Sequence, residues 1–425
     1  MRSAQERERN AIVYCLRAQR ERHVTTMTRS TRSPSHEAET LVLIFLCILN
    51  IAAFAIVNAY GIALGDALGQ PIDLLEWQLW AVLATTCASY FLLRRVMSSG
   101  HSDRGTNVQP ARHAQLAIGV VLALGTALGT LGFAAFGYGR AESQSSSSIG
   151  FVFKLLPYDL AYMLMLCVAP PRAWSIILGL AFVALRIAMG WTGFLAATVL
   201  ILFMRWLGQS RRSRRLQAVL LIGICSLYFA APFAYQLKFL ARHGETREWD
   251  YGPSLVVLLG RVSPFGNSAW IVDNKSEMLG AIQQHSAIWV PFVDPLLAAL
   301  PRAALGVHFE NFETAMVYAV HGALNPGVIF YLSAIGKIVA LWTYQPAVAI
   351  AWIVEAVALF RFATVLAIRL CGATGRYFGI VLVFSFLLSG SLEEMGFWLY
   401  GLLVLNFLAA KMRRLTMSLP PLRAG

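Results

Sequence analysis

Apolar stretches long enough to cross a bilayer recur along this chain, and that recurrence limits the fold more than any other feature. They stand at about 41–63, 77–93, 115–137, 150–168, 173–189, 191–207 and 216–235, and again at 327–342, 346–368, 377–391 and 395–410. A hydrocarbon core of about 30 Å takes about 20 residues of helix to cross, and backbone polar groups inside it find no water, so each crossing closes its own hydrogen bonds. Composition agrees: 57% of the 425 residues are apolar and 13% charged, with a mean hydropathy of +0.61, far from a soluble domain. The alternating pattern of a membrane barrel is absent. The sequence predicts an all-α polytopic transmembrane helix bundle of about 11–12 spans, set in a lipid bilayer, with one large polar loop.

The formal net charge of +13 is carried in short clusters between apolar segments, such as Arg94-Arg95 and Arg211-Arg212-Ser213-Arg214-Arg215. That placement is a topology signal, and no nucleic acid partner is expected. The linkers 94–113, 170–173 and 205–215 carry arginine, whereas 64–76 carries Asp66, Asp73 and Glu76 with no basic residue. Counting positive residues puts the N-terminus in the cytoplasm and the large loop outside. The chain divides into a basic cytoplasmic tail at 1–40, an N-terminal transmembrane bundle at 41–235, a periplasmic loop at 236–326, C-terminal helices at 327–410 and a cytoplasmic tail at 411–425. Met27 offers a second start. The six cysteines are scattered and none lies in the loop, so neither a disulfide framework nor a zinc site is expected.

The span count does not close. Four crossings after an external loop leave the C-terminus outside, yet Lys411, Arg413 and Arg414 favour the cytoplasm, as do Arg369 and Arg376. One further embedded piece is required, or one apparent span is a half-span. The segment 286–300, with Pro291, Asp294 and Pro295, is the expected re-entrant piece. Gly125, Gly129 and Gly132 predict close helix packing.

Four of the eight histidines, His243, His285, His308 and His321, fall in the loop. A solvated connector is also polar, but this loop carries Trp249, Trp270, Trp289, Phe265, Phe292, Phe309 and Phe312, which argues that it folds onto the membrane face. In Gly260-Arg261-Val262-Ser263-Pro264-Phe265-Gly266-Asn267, the arginine follows an apolar run and precedes a turn. Its guanidinium fork there either binds an anionic head group or snorkels to the interface. Further on, Arg302 to Asn325 contains His308, Glu310, Asn311, His321 and Asn325. A helix over 312–323 puts Glu313, Val317 and His321 on one face, a base beside a carboxylate or a plain surface pair. The run His308-Phe309-Glu310-Asn311-Phe312-Glu313 lacks the second histidine of a metalloprotease site, so no metal is expected. Within the spans, Lys154, Asp159, Arg186, Lys337, Glu355 and Arg361 are expected mainly to find structural partners.

A multi-span chain with one external loop rich in arginine and histidine, followed by a span opening His321-Gly322-Ala323-Leu324-Asn325-Pro326-Gly327, resembles the bacterial polysaccharide repeat-unit polymerases of the Wzy type, in particular exopolysaccharide polymerases of gum-type clusters. The layout of the whole chain carries the resemblance, and the residue match lies in 260–267 and 302–327. No arginine of the loop is separated from a glycine by ten residues, a spacing found in some of these polymerases, so their donor and acceptor assignment is not carried over.

The resemblance implies a GT-C-like enzyme of the bacterial inner membrane. It would join polyprenyl-diphosphate-linked oligosaccharide repeats into an exopolysaccharide or O-antigen chain on the periplasmic side, without a cofactor, alongside a flippase and a chain-length regulator. In that scheme Arg261 and Arg302 bind the diphosphate, His321 and Glu310 are catalytic, and Trp270, Asn267, His308 and Asn325 bind substrate. Two other readings stay open. One is a glycosyltransferase using a polyprenyl-phosphate sugar, with Asp66 or Asp73 as base. The other is a flippase or transporter for lipid-linked sugars that relies on Lys154, Arg186, Lys337 and Arg361.

Overall fold

A computed structural model describes residues 34–98, 112–136, 156–168, 172–189, 193–209, 250–285, 312–322 and 331–418, with isolated positions at 232–245 and 292–293. Among them the chain is helical, with no strand beyond a single antiparallel bridge between Ile62 and Pro71. Its helices are α1 (Pro34–Tyr60), α2 (Glu76–Ser98), α3 (Arg112–Phe136), α4 (Tyr158–Val168), α5 (Ala173–Ala188), α6 (Phe194–Gln209), α7 (Tyr251–Val262), α8 (Pro264–Asp273), α9 (Lys275–His285), α10 (Phe312–His321), α11 (Ala334–Tyr344), α12 (Pro346–Cys371), α13 (Gly375–Ser389) and α14 (Leu392–Ser418). Local chemistry sets several boundaries. Proline stands at the start of α8 and α12, where its missing N–H costs nothing, and Ser263 and Ser333 cap α8 and α11 with their hydroxyls.

Four helical runs are long and apolar enough to cross a membrane: Glu37–Tyr60, Arg112–Ala135, Pro346–Ser389 and Leu392–Leu415. The third doubles back at the 3-10 turn Gly372–Thr374. Phe386 of α13 stacks on Trp352 and meets Phe360 edge-on, both from α12, with centroids 5.4 and 4.9 Å away. The long runs expose Ile44, Ile48, Ile51, Leu116, Val120, Leu124, Val354 and Phe407, the apolar belt that lipid requires. The chain is thus an integral membrane protein. The described residues reach four such runs, or five with the bent pair α7 and α8, fewer than the 11–12 spans expected. Part of that gap is a length effect: α4 and α11 have 11 residues each and α5 has 16, about 16–24 Å of helix against a core of about 30 Å. The predicted segment 216–235 lies outside the described residues.

Helix packing relies on small residues, because lipid chains are as apolar as leucine and burial alone drives little association. Gly125 of α3 lies against Tyr158 and Gly129 against Leu185, which draws α4 and α5 onto α3 as the glycine spacing predicts. Between α4 and α5, Asp159 and Arg186 form an ion pair at 3.0 Å, and Tyr162 stacks on Phe182 at 4.3 Å. The expectation of structural pairing for embedded charges holds there.

The bundle has two unlike ends. At one, Arg94 pairs with Glu39 at 3.2 Å, Met97 packs on Gly379, and Arg369 and Arg376 flank the turn between α12 and α13. Asn406 of α14 donates to the Leu366 carbonyl at 3.3 Å. Lys411 is therefore level with Cys371, and Lys411, Arg413 and Arg414 join the same basic end. At the other end stand the loop 61–75, the junction of α7 with α8, and the turn between α13 and α14.

Among the described residues, this arrangement makes α12, α13 and α14 successive passes between the two ends, which brings the end of α14 to the basic end. The apparent span at 327–342 is a half-span in its described part. Ser333 already abuts Gly390 at the end of α13, and α11 runs away from the basic end before α12 returns beside it, with Lys337 over the Trp352 ring at 5.9 Å. The broken element is α7 and α8, bent by 77° at Ser263. Segment 286–300, expected to be re-entrant, lies outside the described residues except for 292–293.

Candidate functional site

The break between α7 and α8 reaches well inside the bundle. Asn50 of α1, ten residues before the helix ends at Tyr60 and so about 15 Å below that end, accepts from the Ser263 hydroxyl at 2.9 Å and the Phe265 N–H at 3.2 Å. Its own amide nitrogen donates to the Leu46 carbonyl at 2.8 Å. A bent helix exposes backbone donors in a medium without water, and the buried asparagine satisfies the one at Phe265.

The loop 61–75 folds down onto this junction. Gly260 packs so closely on the backbone of Gly65, and Gly266 on Leu64, that a Cβ at either position collides with the facing chain. That contact brings Asp66 to Arg261, and the two form an ion pair. Asp66 Oδ2 also accepts from the Tyr331 N–H at 2.6 Å. Asn267 completes the arrangement: its Oδ1 accepts from the Asp66 N–H at 2.9 Å and its Nδ2 donates to the Tyr331 carbonyl at 2.7 Å. Three stretches far apart in sequence, 64–67, 260–267 and 331–333, are thus fastened into one unit.

The two charged groups are unequally placed. The Asp66 side chain is 1% exposed, whereas that of Arg261 is 44% exposed. A carboxylate enclosed by a guanidinium and a backbone amide is an anchor. It fixes the guanidinium while leaving much of its fork open, the state in which arginine binds a further anion. Tyr331 lies alongside with 37% of its surface exposed. Enough protein surrounds its phenol that burial raises its pKa, reinforced by the charges of Glu394 and Asp66 and opposed by Arg261. Glu394 therefore belongs to the same neighbourhood. The loop carboxylates continue toward α8, where Asp273 Oδ2 accepts from the Asp73 N–H at 2.9 Å.

Of the residues singled out from the sequence, Arg261 and Asn267 meet here, although Asn267 has both ends of its amide engaged by backbone. Trp270, expected to stack on a sugar, is 3% exposed and packs in the core. His321 closes α10 at an exposed position, and the predicted helix is present with Val317 buried on its inner side. Arg302, His308, Glu310 and Asn325 lie outside the described residues. The cations of the transport reading stand in separate surroundings: Arg186 beside Asp159, Lys337 buried with Phe312 and Trp352, and Arg361 on an exposed face of α12, with Lys154 outside the described residues.

Sequence reasoning put Asp66 and Arg261 in rival schemes and passed over Tyr331 and Glu394. Tyr331 falls within the apolar run 327–342 and Glu394 beside the run 395–410, and nothing local marks either. A comparison with known proteins finds no matching family model, no similar curated protein and no similar solved structure.

Proposed function

We propose that this chain is a bacterial inner-membrane polymerase that joins polyprenyl-diphosphate-linked oligosaccharide repeats, with the Asp66–Arg261 unit as its diphosphate anchor. One observation carries the reading: a half-exposed guanidinium is held by a buried carboxylate at the break of a bent helix, at the end of the bundle opposite the basic cluster. The positive-inside rule assigns the basic end to the cytoplasm and the Arg261 end to the periplasm. In this reading the anion that meets the open fork of Arg261 is the diphosphate of a lipid in that leaflet. As the glycosidic bond forms, negative charge grows on the departing diphosphate, and a preorganised guanidinium stabilises it more there than in water.

The test is polymer length in cells. Arg261→Ala abolishes long polymer and leaves single lipid-linked repeats on the periplasmic face, while normal polymer in that variant refutes the assignment. The reading with a polyprenyl-phosphate donor retains one supporting observation, that a carboxylate of the loop between α1 and α2 sits at the site. Asp66→Asn separates the two. An anchor keeps a share of its activity when the neutral amide still accepts from Tyr331, whereas loss of a general base lowers the rate about 100- to 10,000-fold.

A further inference from the structure

The outer side of α12 carries two charges in the depth of the membrane. Arg361 is exposed and Glu355 half-buried, with Glu355 Oε2 enclosed and meeting no donor. Among the described residues neither enters an ion pair, unlike Glu39 with Arg94 and Asp159 with Arg186. Arg361 lies about 22 Å along the helix from Pro346, where α12 begins, and about 12 Å from Arg369 at the basic end. Its Cα–Cβ bond leans toward the N-terminus of α12, away from the nearer membrane surface. The guanidinium therefore stays in hydrocarbon, beyond the reach of lipid head groups, where a charge demands a protein partner. The apolar stretch 216–235 holds no charged residue and cannot supply one.

The surface between the two charges suits a second helix. At 3.6 residues per turn, Arg361 and Glu355 stand about 120° apart around α12. The arc between them holds Ala347, Ala351, Val354, Ala358 and Phe362, all exposed. Three alanines make a shallow strip that lets a facing backbone approach, as the glycines of α3 do inside the bundle. Both halves of an ion pair thus flank one seam, a cation on one side and a carboxylate on the other.

We propose that this face joins a second copy of the chain, α12 against α12, with Arg361 of each copy paired to Glu355 of the partner subunit. Insertion gives both copies the same orientation, so the two-fold axis runs along the bilayer normal and corresponding residues meet at equal depth. Such an axis sets the Arg361 flank of one helix beside the Glu355 flank of the other. The two groups differ in depth by about 9 Å, a gap that the length and N-terminal lean of the arginine side chain narrow. One operation then neutralises all four charges and covers the alanine strip. The pairing is independent of what Arg261 binds, and it puts both Arg261 sites on the same side of the membrane.

The experiment starts with the unsubstituted chain in nanodiscs cut directly from the membrane, whose mass is expected to be that of two copies. In membranes, oxidation by copper phenanthroline is expected to link Ala358→Cys into a dimer at least tenfold more than Ile177→Cys, which lies on the exposed face of α5. Arg361→Glu and Glu355→Arg each put like charges at both positions, and expressed alone each loses the dimer fivefold or more. Co-expressed with different tags, the two variants capture each other, because every contact between them again joins opposite charges. That capture also reports that both fold. A monomeric unsubstituted chain, or linking at Ile177→Cys as strong as at Ala358→Cys, overturns the proposal. Undiminished dimer in both charge variants alone overturns it too, as do variants that insert as monomers and fail to capture each other.

Discussion

At the scale of single residues, the site depends on a carboxylate that has little contact with water. Asp66 accepts from the Tyr331 amide and pairs with Arg261. Asp66→Ala leaves a backbone N–H unsatisfied and frees the guanidinium, a loss of about 1–3 kcal/mol that thermal unfolding in nanodiscs detects. Gly390 is constrained differently. Its left-handed backbone and its contact with Ser333 leave no place for a methyl group, so Gly390→Ala is expected to destabilise by about 1–2 kcal/mol from backbone strain alone, and by more through displacement of α11. The embedded pair of Asp159 and Arg186 obeys the rule for charges removed from water. Arg186→Met alone costs on the order of 3 kcal/mol because it strands a carboxylate, while adding Asp159→Asn recovers part of that loss. Equal melting temperatures for the single and double variants disprove the coupling.

At the scale of elements, the bend between α7 and α8 depends on Asn50, which lies on another helix. Asn50→Ala removes the acceptor for the Ser263 hydroxyl and the Phe265 N–H in a buried place, and the expected outcome is faster amide hydrogen exchange at Phe265, with α1 otherwise unchanged. Unaltered exchange there shows that the bend is held by other contacts. Element lengths followed from the sequence only in part. The runs 41–63 and 395–410 became full helices because long apolar segments in lipid have little alternative to helix. The run at 327–342 looked like a span, yet its described part, α11, is a half-span, because hydropathy reports what surrounds a segment and not the direction in which it travels. The re-entrant segment is expected at 286–300 from its prolines, whereas the described break is at Ser263, beside Pro264, and is held by Asn50, more than 200 residues away.

At the scale of the whole molecule, the basic residues gather at one end, and both the start of α1 and the end of α14 lie there. The expected outcome of cysteine-accessibility mapping is opposite sidedness for Leu68→Cys, in the exposed loop after α1, and Arg413→Cys, near the end of α14, with the unsubstituted chain as control. Labelling of both from one side refutes this topology. The sequence by itself determined that the chain is helical and lives in a membrane, where its charges cluster, and that Arg261 sits at the boundary of an apolar run. Those properties follow from composition and local spacing, because lipid forces helix wherever apolar residues persist. Only the tertiary structure decided that Asp66 belongs with Arg261, that Asn267 fastens two loops rather than standing open, and that Trp270 is core. Each of these depends on contacts between stretches 64 to 201 residues apart, where small residues such as Gly65 and Gly260 let backbones approach, and one-dimensional spacing carries no record of such approach.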